Sequence, residues 1–527
     1  MRAYDRYLRG TAGFRAVGVA LLCAAMAARA QNVTPQLPAA QTVSASTAFH
    51  EEVIAQMTPN SEYKDGLVGD NHIAWVEQRE GKRTVMLDGK QQGGTFDDAK
   101  ELTFSPDETH LAFFAKRGPV WIVVTDGQEH PQRYAKFTSI TFQPKGNSYA
   151  SSACQGKKCR LAVDGTETGG EYEDISFPQY SPDGKHLAFF GKRARKWIAI
   201  VDGKEVGPEL DDFWGSSWGF TPDSSRFFAA ARIKNDWMYV VDGTPGPTFG
   251  VISYITFSRD GKHYAYGGTI AKGGFTKQKT IGSIVLDGQA MGSYEGRGMG
   301  GTLKALGGTT ESLATGVRDL TPDFHGVSTP GFSPEGTVVY AARRDKGDVA
   351  VFVGDVAGAG FDEILSPVVF SETSGHFAYV AKRGNDFVAI RDNQPGTIFT
   401  PSKHGATGVP WILIADDGNH LAFETVSGGQ LFKSGTTARA LRSLVLDGIA
   451  GPEYDALGLA RFDFDNGAQH YCYEVLGAMG RQDLVNVDGH ESRVYDEVSN
   501  ARISVDGKSV VFVARDGARF LRVTYAL

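Results

Sequence analysis

Short apolar runs separated by turn sequences dominate the chain from about residue 66 to its end. Residues 175–212 read ISFPQYSPDGKHLAFFGKRARKWIAIVDGKEVGPELDD. Four runs in which apolar and polar residues alternate, ISFPQYS, HLAFF, WIAIV and EVGPEL, are divided by Pro-Asp-Gly and Asp-Gly turns and a basic loop. Alternation with a period of two, bounded by such turns, is typical of antiparallel strands joined by hairpins. The pattern therefore predicts a four-stranded antiparallel sheet in roughly 40 residues.

This unit recurs along the chain. An apolar or aromatic anchor residue precedes a turn resembling Ser-Pro-Asp-Gly at Val68, Phe104, Phe142, Tyr180, Phe220, Phe257, Phe332, Phe370, Ile414, Phe464 and Ile503. A second turn, usually Val-Asp-Gly, begins at Asp88, Asp126, Asp164, Asp202, Asp242, Asp287, Asp447 and Asp488. Four strands per repeat form a β-propeller blade, which must stack on its neighbours to bury its faces. We predict an all-β protein of about eleven such blades.

Eleven blades exceed the roughly four to eight that one ring usually holds. A Gly-rich stretch of twice the normal step separates Phe257 from Phe332, so we predict two rings in tandem. The predicted domains are a signal peptide in residues 1–30, an N-terminal linker in 31–64, a first propeller of about six blades in 65–290, a Gly-rich insertion or decayed blade in 291–330, and a second propeller of five or six blades in 331–527. A single large ring, completed by a strand around His50 to Ala55, is the alternative.

The repeat carries a family resemblance. The string F-S-P-D-G-K-x-x-A-[FY], at 180–189 and 257–266 and in weaker form at 104–113, resembles the WD-like repeat of bacterial TolB-type propellers. It is also similar to the propeller half of dipeptidyl-peptidase-IV-like proteins. The resemblance covers nearly all of residues 66–527 and implies the propeller fold. It implies no peptidase activity, because no α/β-hydrolase pattern follows the repeats, and propellers serve as scaffolds and as enzymes alike.

The N-terminal sequence predicts export. Four arginines in the first fifteen residues precede an apolar run at 16–27, and Ala28-Arg29-Ala30 matches a signal-peptidase site. Loss of residues 1–30 removes five Arg and one Asp, which changes the formal net charge from −7 to −11 and disfavours nucleic-acid binding. No later run approaches the roughly 18 apolar residues of a membrane span. We expect a periplasmic or secreted bacterial protein with no membrane span and no nucleic-acid partner.

The residue types that usually carry chemistry occur here once per repeat. Seven histidines share one slot at the start of the second strand: His72, His110, His186, His263, His376, His420 and His470. One side chain per blade does not converge on a metal ion, so we interpret these histidines as structural, and the repeated turn aspartates likewise. The nominal motifs G-x-S-x-G at 215–219 and G-x-G-x-x-G at 296–301 lack the strand-to-helix context that their chemistry needs.

The first strand of each blade faces the central channel of a propeller, where a catalytic set would be expected. The residues assigned to it are small or apolar: Thr103, Thr141, Ser176, Phe177, Ser217 and Thr256. They include no pair of carboxylates and no nucleophile beside a base. We therefore predict no catalytic residues, no metal site and no cofactor.

The cysteines suggest one covalent link. Cys154 ends one predicted strand and Cys159 begins the next, so the two side chains can face each other across a hairpin. In an oxidising compartment they are a disulfide candidate; two ordinary strand residues are the alternative, because the register is unknown. Cys472 is expected to be a small buried hydrophobic residue.

The loop between the second and third strands is basic in most blades. Its candidate binding residues are Lys116, Arg117, Lys192, Arg193, Arg343, Arg344, Lys382 and Arg383. Together they would form a broken basic ring on which an anionic ligand or a partner could dock. The acidic pairs at 173–174 and 211–212 approach the same region, and a solvated surface of alternating charges is the other interpretation. Trp214, Trp218 and Trp237 are core residues or a platform for stacking sugars.

These observations favour an exported, non-catalytic propeller scaffold that binds a protein partner or an envelope-derived ligand, which would be anionic if it docked on the basic ring. The alternative is a propeller lyase or hydrolase that acts on an anionic polysaccharide or a peptide at the channel mouth.

Overall fold

The computed structural model describes residues 48–272, 279–296, 330–344, 347–371, 374–384, 386–399, 406–409, 412–415, 417–427, 441–465, 469–477 and 483–527. Throughout these ranges the regular elements are β-strands, with no α-helix. The predicted signal peptide, residues 1–30, lies outside the described residues, as does most of the predicted insertion at 291–330. Among the described residues, no helix has the length and apolar character needed to cross a membrane.

The strands form eleven antiparallel blade sheets, numbered sheet 1 to sheet 11 along the chain. Strand β1 (Phe49–Gln56) belongs to the last of them. The described residues divide into two compact units. Unit 1 comprises Glu51–Gly246 and Phe512–Val523, and unit 2 comprises Pro247–Val511, Thr524–Leu527 and residues 48–50.

Unit 1 contains sheets 1 to 5. Sheet 1 consists of β2 (Glu62–Val68), β3 (Ile73–Arg79), β4 (Lys82–Leu87) and β5 (Lys90–Phe96). Sheet 2 consists of β6 (Asp98–Phe104), β7 (Leu111–Arg117), β8 (Val120–Thr125) and β9 (Gln128–Glu129). Sheet 3 consists of β10 (Lys136–Phe142), β11 (Tyr149–Gln155), β12 (Lys158–Val163) and β13 (Thr166–Tyr172). Sheet 4 consists of β14 (Asp174–Ile175), β15 (Gln179–Tyr180), β16 (Leu187–Arg193), β17 (Lys196–Val201) and β18 (Lys204–Leu210). Sheet 5 consists of β19 (Asp212–Phe220), β20 (Phe227–Ile233), β21 (Asp236–Val241) and β22 (Thr244–Pro245).

Unit 2 contains sheets 6 to 10. Sheet 6 consists of β23 (Val251–Ile252), β24 (Thr256–Phe257), β25 (Tyr264–Lys272), β26 (Lys279–Leu286) and β27 (Gln289–Gly296). Sheet 7 consists of β28 (Gly331–Phe332), β29 (Val338–Arg343), β30 (Val349–Val353) and β31 (Val356–Ala357). Sheet 8 consists of β32 (Glu363–Ile364), β33 (Val369–Phe370), β34 (Phe377–Arg383), β35 (Asp386–Arg391) and β36 (Gln394–Phe399). Sheet 9 consists of β37 (Ala406–Gly408), β38 (Ile412–Ile414), β39 (Leu421–Ser427), β40 (Leu441–Leu446) and the first part of β41 (Ile449–Phe464). Sheet 10 consists of the rest of β41, β42 (Tyr471–Gly477), β43 (Leu484–Val487) and β44 (His490–Glu491).

Sheet 11 joins the two ends of the described chain. Its strands are β45 (Glu497–Ile503), β46 (Ser509–Asp516) and β47 (Arg519–Ala526), and β1 pairs with β47 as the fourth strand. The N-terminal strand expected near His50 is therefore present, within the segment predicted as a linker. Because β47 would otherwise have an open edge, β1 satisfies its outer hydrogen-bonding groups.

The predicted repeat is confirmed. Each of the eleven anchors, from Val68 to Ile503, is the last residue of the first strand of its sheet, or of the second segment where that strand is split. The all-β fold of propeller blades is confirmed as well. The two-ring arrangement and the domain boundaries stay predictions.

The apolar core lies between consecutive sheets. Phe104 and Phe113 of sheet 2 pack with Val76 of sheet 1 in one buried cluster, and Phe190 of sheet 4 packs with Trp218 of sheet 5 in another. The second strand of a sheet is accordingly buried on both faces. In β7 all five residues from Leu111 to Ala115 are buried, which explains why this strand reads as an apolar run and does not alternate.

A clamp of histidine and aspartate closes each of seven sheets at the end opposite the hairpin between the second and third strands. The pairs are His72–Asp88, His110–Asp126, His186–Asp202, His263–Asp287, His376–Asp392, His420–Asp447 and His470–Asp488, with Nδ1···Oδ2 distances of 2.5–2.8 Å. The other carboxylate oxygen accepts the backbone N–H of the residue after the histidine at 2.8–3.0 Å. These aspartates have φ between 47° and 51°, the left-handed conformation that Asp tolerates in turns. The structural interpretation of the histidines is confirmed, with the turn carboxylate as their partner.

Candidate binding site

The predicted basic residues lie at the hairpin ends of the sheets, which we define as the ends where the second strand turns into the third. At this position each of four sheets carries a row of three neighbouring side chains across its first three strands. The rows are Asp98–Lys116–Trp121 in sheet 2, Asp174–Lys192–Trp197 in sheet 4, Asp212–Arg232–Trp237 in sheet 5 and Glu363–Lys382–Phe387 in sheet 8. Every row thus combines a carboxylate, a cation and an aromatic ring.

The cations of unit 1 lie over the neighbouring indoles. The Nζ atoms of Lys116 and Lys192 are 5.7 Å and 5.1 Å from the centroids of Trp121 and Trp197. The guanidinium of Arg232 is 5.7 Å from the centroid of Trp237. Cation–π pairs at these distances are attractive, so part of the lysine charge predicted to face a ligand is directed at the protein's own rings.

A disulfide takes the same place in sheet 3. Cys154 and Cys159 are directly opposite in the register of β11 and β12, where Lys116 and Trp121 stand in sheet 2, and their sulfurs are bonded. Both cysteines are buried. The disulfide therefore replaces the cation–aromatic pair of the row, while Cys472 is a buried free cysteine, as expected.

The arginines that follow these lysines make ion pairs within their own sheets. Arg117 pairs with Glu129, and Arg193 donates to Glu205 at 2.9 Å. The hydrogen bonds from Arg117 hold the pKa of Glu129 below its usual range. Because each arginine contacts a carboxylate of its own sheet, these two cations are neutralised where they stand.

Carboxylates also bind the hairpins themselves. Asp97 accepts the N–H of Gly118 at 2.6 Å and pairs with Lys82 at 2.5 Å. Asp211 accepts the N–H of Lys234 at 2.7 Å in the equivalent place. Hydrogen bonds lower the pKa of both carboxyl groups; the largest cause is the side-chain ammonium of Lys82 for Asp97 and that of Lys196 for Asp211. The hairpin ends of unit 1 therefore alternate in charge.

In unit 2 two of the four predicted residues, Arg344 and Arg383, lie near Gly360. Arg344 pairs with Asp348, and Arg383 donates to the carbonyl of Gly360 at 3.3 Å while its guanidinium lies 4.8 Å from the Phe361 ring. Arg343 is buried and donates to the carbonyl of Gly347 at 2.5 Å. Arg343 is therefore a structural residue, unlike the other three predicted basic residues of sheets 7 and 8.

Sheet 5 differs from the other sheets by a long bulge in its first strand. Phe213 is opposite Ala231 and Trp218 is opposite Ala229, so the residues from 214 to 217 face a single partner residue. The bulge places Trp214 beside Trp237, with ring centroids 5.7 Å apart and an interplanar angle of 43°. Both indoles are partly exposed, whereas Trp218 is buried in the core.

Two first-strand carboxylates of unit 1 were missed by the sequence analysis. Asp65 on β2 follows a bulge and Glu101 lies within the bulge of β6, and these two strands contact each other. Glu101 has a φ of 58°, and burial raises its pKa to about 7, with the negative charge of Asp65 as the second cause. Neither carboxylate was among the residues assigned to the channel, because the bulges displace residues that strict alternation would place elsewhere. Of the six residues assigned to the channel, Thr103, Ser176, Phe177 and Ser217 are instead buried.

One group of described side chains has the spacing of potential metal ligands. Among the described residues, three potential ligand side chains approach within 4.8 Å of one another at Cys154, Cys159 and Asp174. Because the two sulfurs are bonded to each other, they are not thiolates, which are the form that binds metals.

No family model matches the chain, and no curated protein matches it. Solved structures similar to it include TolB from Acinetobacter baumannii, with 14% identity, a TM-score of 0.23, and 42% of this chain and 66% of that chain covered. The tricorn protease has 11% identity and a TM-score of 0.30, with 82% and 43% covered. The β-propeller domain of the Trilobed protease from Pyrococcus furiosus has 9% identity and a TM-score of 0.24, with 74% and 94% covered.

The chain spans less than two thirds of the length of TolB and of the tricorn protease. TolB, whose repeat this sequence resembles, is thus among the solved structures similar to the chain. At these identities the likeness concerns the fold alone.

The raised pKa of Glu101 predicts a pH-dependent stability. The folded state holds the proton up to about pH 7, whereas an unfolded glutamate loses it near 4.5, so the free energy of unfolding falls as the pH rises between these values. We expect Glu101→Gln to stabilise the protein at pH 8 by on the order of 1–3 kcal/mol and to have little effect at pH 4.5. Urea unfolding of both proteins at the two pH values measures this difference.

Asp65→Asn is the matched control for Glu101→Gln. It removes the neighbouring charge but leaves Glu101 in place, and we expect it to reduce the pH dependence without abolishing it. An effect of Glu101→Gln that is equal at both pH values would contradict the assignment.

Proposed function

We propose that the chain is an exported, non-catalytic β-propeller scaffold that binds a protein partner or an envelope-derived ligand through the hairpin ends of its sheets. The observation that carries this proposal is the row of carboxylate, cation and aromatic side chains, which recurs at one position in sheets 2, 4, 5 and 8. Aromatic residues are enriched at binding surfaces, and each row presents one of them at the end of its sheet. Export is part of the proposal and is supported by the N-terminal sequence pattern.

The eight predicted basic residues contribute unequally to the proposed surface. Lys116, Lys192 and Lys382 stand in the rows and are partly exposed. Arg117, Arg193, Arg344 and Arg383 hold the flanks of the rows by ion pairs or ring contacts, and Arg343 is buried. We therefore assign direct contacts to the three lysines.

A pull-down from native envelope extract tests the scaffold. We expect residues 31–527 to retain a specific partner that is lost when Lys116, Lys192 and Lys382 are changed to Ser. The matched control changes Lys90, Lys204 and Lys262 to Ser, because these exposed lysines stand at the opposite ends of their sheets and remove the same charge. Equal retention by both variants would refute binding through the hairpin ends.

The second candidate is a lyase or hydrolase acting on an anionic polysaccharide or a peptide, and the pair Asp65 and Glu101 favours it. A carboxyl group whose pKa is raised to about 7 and that lies near a second carboxyl group is an arrangement used for general acid catalysis. Because we propose a non-catalytic scaffold, we expect the purified protein not to shorten polygalacturonate or casein. Product formation that is lost in Glu101→Gln and retained in Glu52→Gln would replace the scaffold with this enzyme.

The number of blades and the Gly-rich stretch are the arguments for two tandem rings, at 65–290 and 331–527. Two contacts favour the single large ring instead: β1 pairs with β47 in sheet 11, and Ala265 and Ile284 of sheet 6 pack in one buried cluster with Phe332 and Tyr340 of sheet 7. We therefore propose one ring, and a solution-scattering envelope of residues 31–527 with one disc is the expected result. Two lobes would restore the tandem rings.

A further inference from the structure

The bulge of sheet 5 creates an aromatic surface that the fold itself does not require. The first strands of sheets 1, 2 and 3 have seven residues, whereas β19 has nine. The additional length brings Trp214 out of the strand, while Trp218, further along the same strand, supplies the core contact with Phe177 and Phe190. Bulges commonly re-aim a side chain in this way.

A charged pair borders the two indoles. Arg232 donates to Asp212 at 3.0 Å, and the two side chains are 38% and 46% exposed. The guanidinium lies 5.7 Å from the Trp237 ring. Because donor and acceptor stand side by side, the pair presents N–H groups and carboxylate oxygens to solvent with no net charge.

Phe213, the residue before Trp214, has a different role. Its ring stacks on the buried Phe190 with centroids 4.0 Å apart, and Trp197 of sheet 4 lies edge-on to it at 5.1 Å. Phe213 and Trp197 therefore pack against the core between sheets 4 and 5. The exposed aromatic surface consists of Trp214 and Trp237.

We propose that Trp214 and Trp237, with Asp212 and Arg232, form a binding site for an uncharged oligosaccharide. The C–H face of a pyranose packs on an indole face, and its hydroxyl groups both donate and accept hydrogen bonds. A neighbouring carboxylate and guanidinium match two adjacent hydroxyls, as binding sites that combine apolar walls with a few polar groups do. An anionic sugar would instead need cations in excess, and here Asp212 neutralises Arg232. This inference deepens the proposed function and rests on its premise that the hairpin ends bind a ligand.

Titration of residues 31–527 with neutral oligosaccharides, followed by tryptophan fluorescence and calorimetry, tests the site. The probes are cellohexaose, laminarihexaose, mannohexaose and an array of neutral glycans. We expect at least one of them to bind, and Trp214→Ala to weaken its binding about tenfold or more, which is roughly 1.4 kcal/mol. Arg232→Lys should weaken binding severalfold because it loses the planar donor fork.

Matched variants separate binding from folding. Trp237→Phe is expected to weaken binding, whereas Phe220→Leu removes a partly exposed ring at the opposite end of the same sheet and should leave binding unchanged. Far-ultraviolet circular dichroism of each variant verifies that the fold is retained. Equal effects of the two substitutions would overturn the proposal.

Other outcomes of the titration also test the oligosaccharide site. Failure of every neutral glycan to bind, or binding that persists unchanged in Trp214→Ala, would overturn the inference. Preferential binding of hexagalacturonate or of a decaproline peptide, the other ligand class that packs on paired aromatics, would assign the surface differently. A protein partner captured equally by the wild type and Trp214→Ala, with no glycan bound, would leave the scaffold standing and remove only the oligosaccharide.

Discussion

A four-stranded blade cannot bury both of its faces by itself, and every other feature of the structure depends on this constraint. The second strand of most sheets is buried on both sides because consecutive sheets cover it, as Val76 and Phe113 show between sheets 1 and 2. Stacking uses the faces of the sheets and leaves their ends to solvent. Turn chemistry closes one end with the clamp of histidine and aspartate, and the hairpin ends remain for contacts with other molecules.

Local chemistry explains why the repeat could be predicted so closely from the sequence. An anchor residue, a Pro-Asp-Gly or Asp-Gly turn and an alternating run are short-range signals, and each of them determines a hairpin without reference to the rest of the chain. The anchors from Val68 to Ile503 consequently end their strands as expected. The pairing of the basic residues is not short-range. Glu129 neutralises Arg117 from the outer strand of its sheet, and Asp97, which lies between sheets 1 and 2, pairs with Lys82 of sheet 1. The basic loops in the sequence therefore indicate where the cations lie, but they do not show how much of the positive charge is neutralised by carboxylates.

Bulges account for most of what the sequence analysis missed. Strict alternation assigns each first-strand residue to one side, and one extra residue reverses that assignment for its neighbours. Glu101 and Asp65 were overlooked for this reason, and no signal in their segments marks the bulges. Sheet 5 does carry a signal. Asp212 precedes its anchor Phe220 by eight positions, whereas Asp98 precedes Phe104 by six, so the two extra residues that expose Trp214 were visible as a longer interval.

The rows at the hairpin ends combine a structural role with a binding role, and sheet 3 separates the two. There the disulfide between Cys154 and Cys159 replaces the cation and the indole at the same cross-strand position. The disulfide links the second and third strands at the position where other sheets have a cation–aromatic pair. We infer that the primary role of the row is to stabilise its hairpin. A row with only that purpose needs no second aromatic ring. Sheet 5 has a second aromatic ring, Trp214, and its first strand is irregular because of it. Trp214 contributes little to the core, where Trp218 packs on Phe190. The bulge of sheet 5, which departs from the repeat, therefore identifies the part of this surface that is specialised for a ligand better than the repeated rows do.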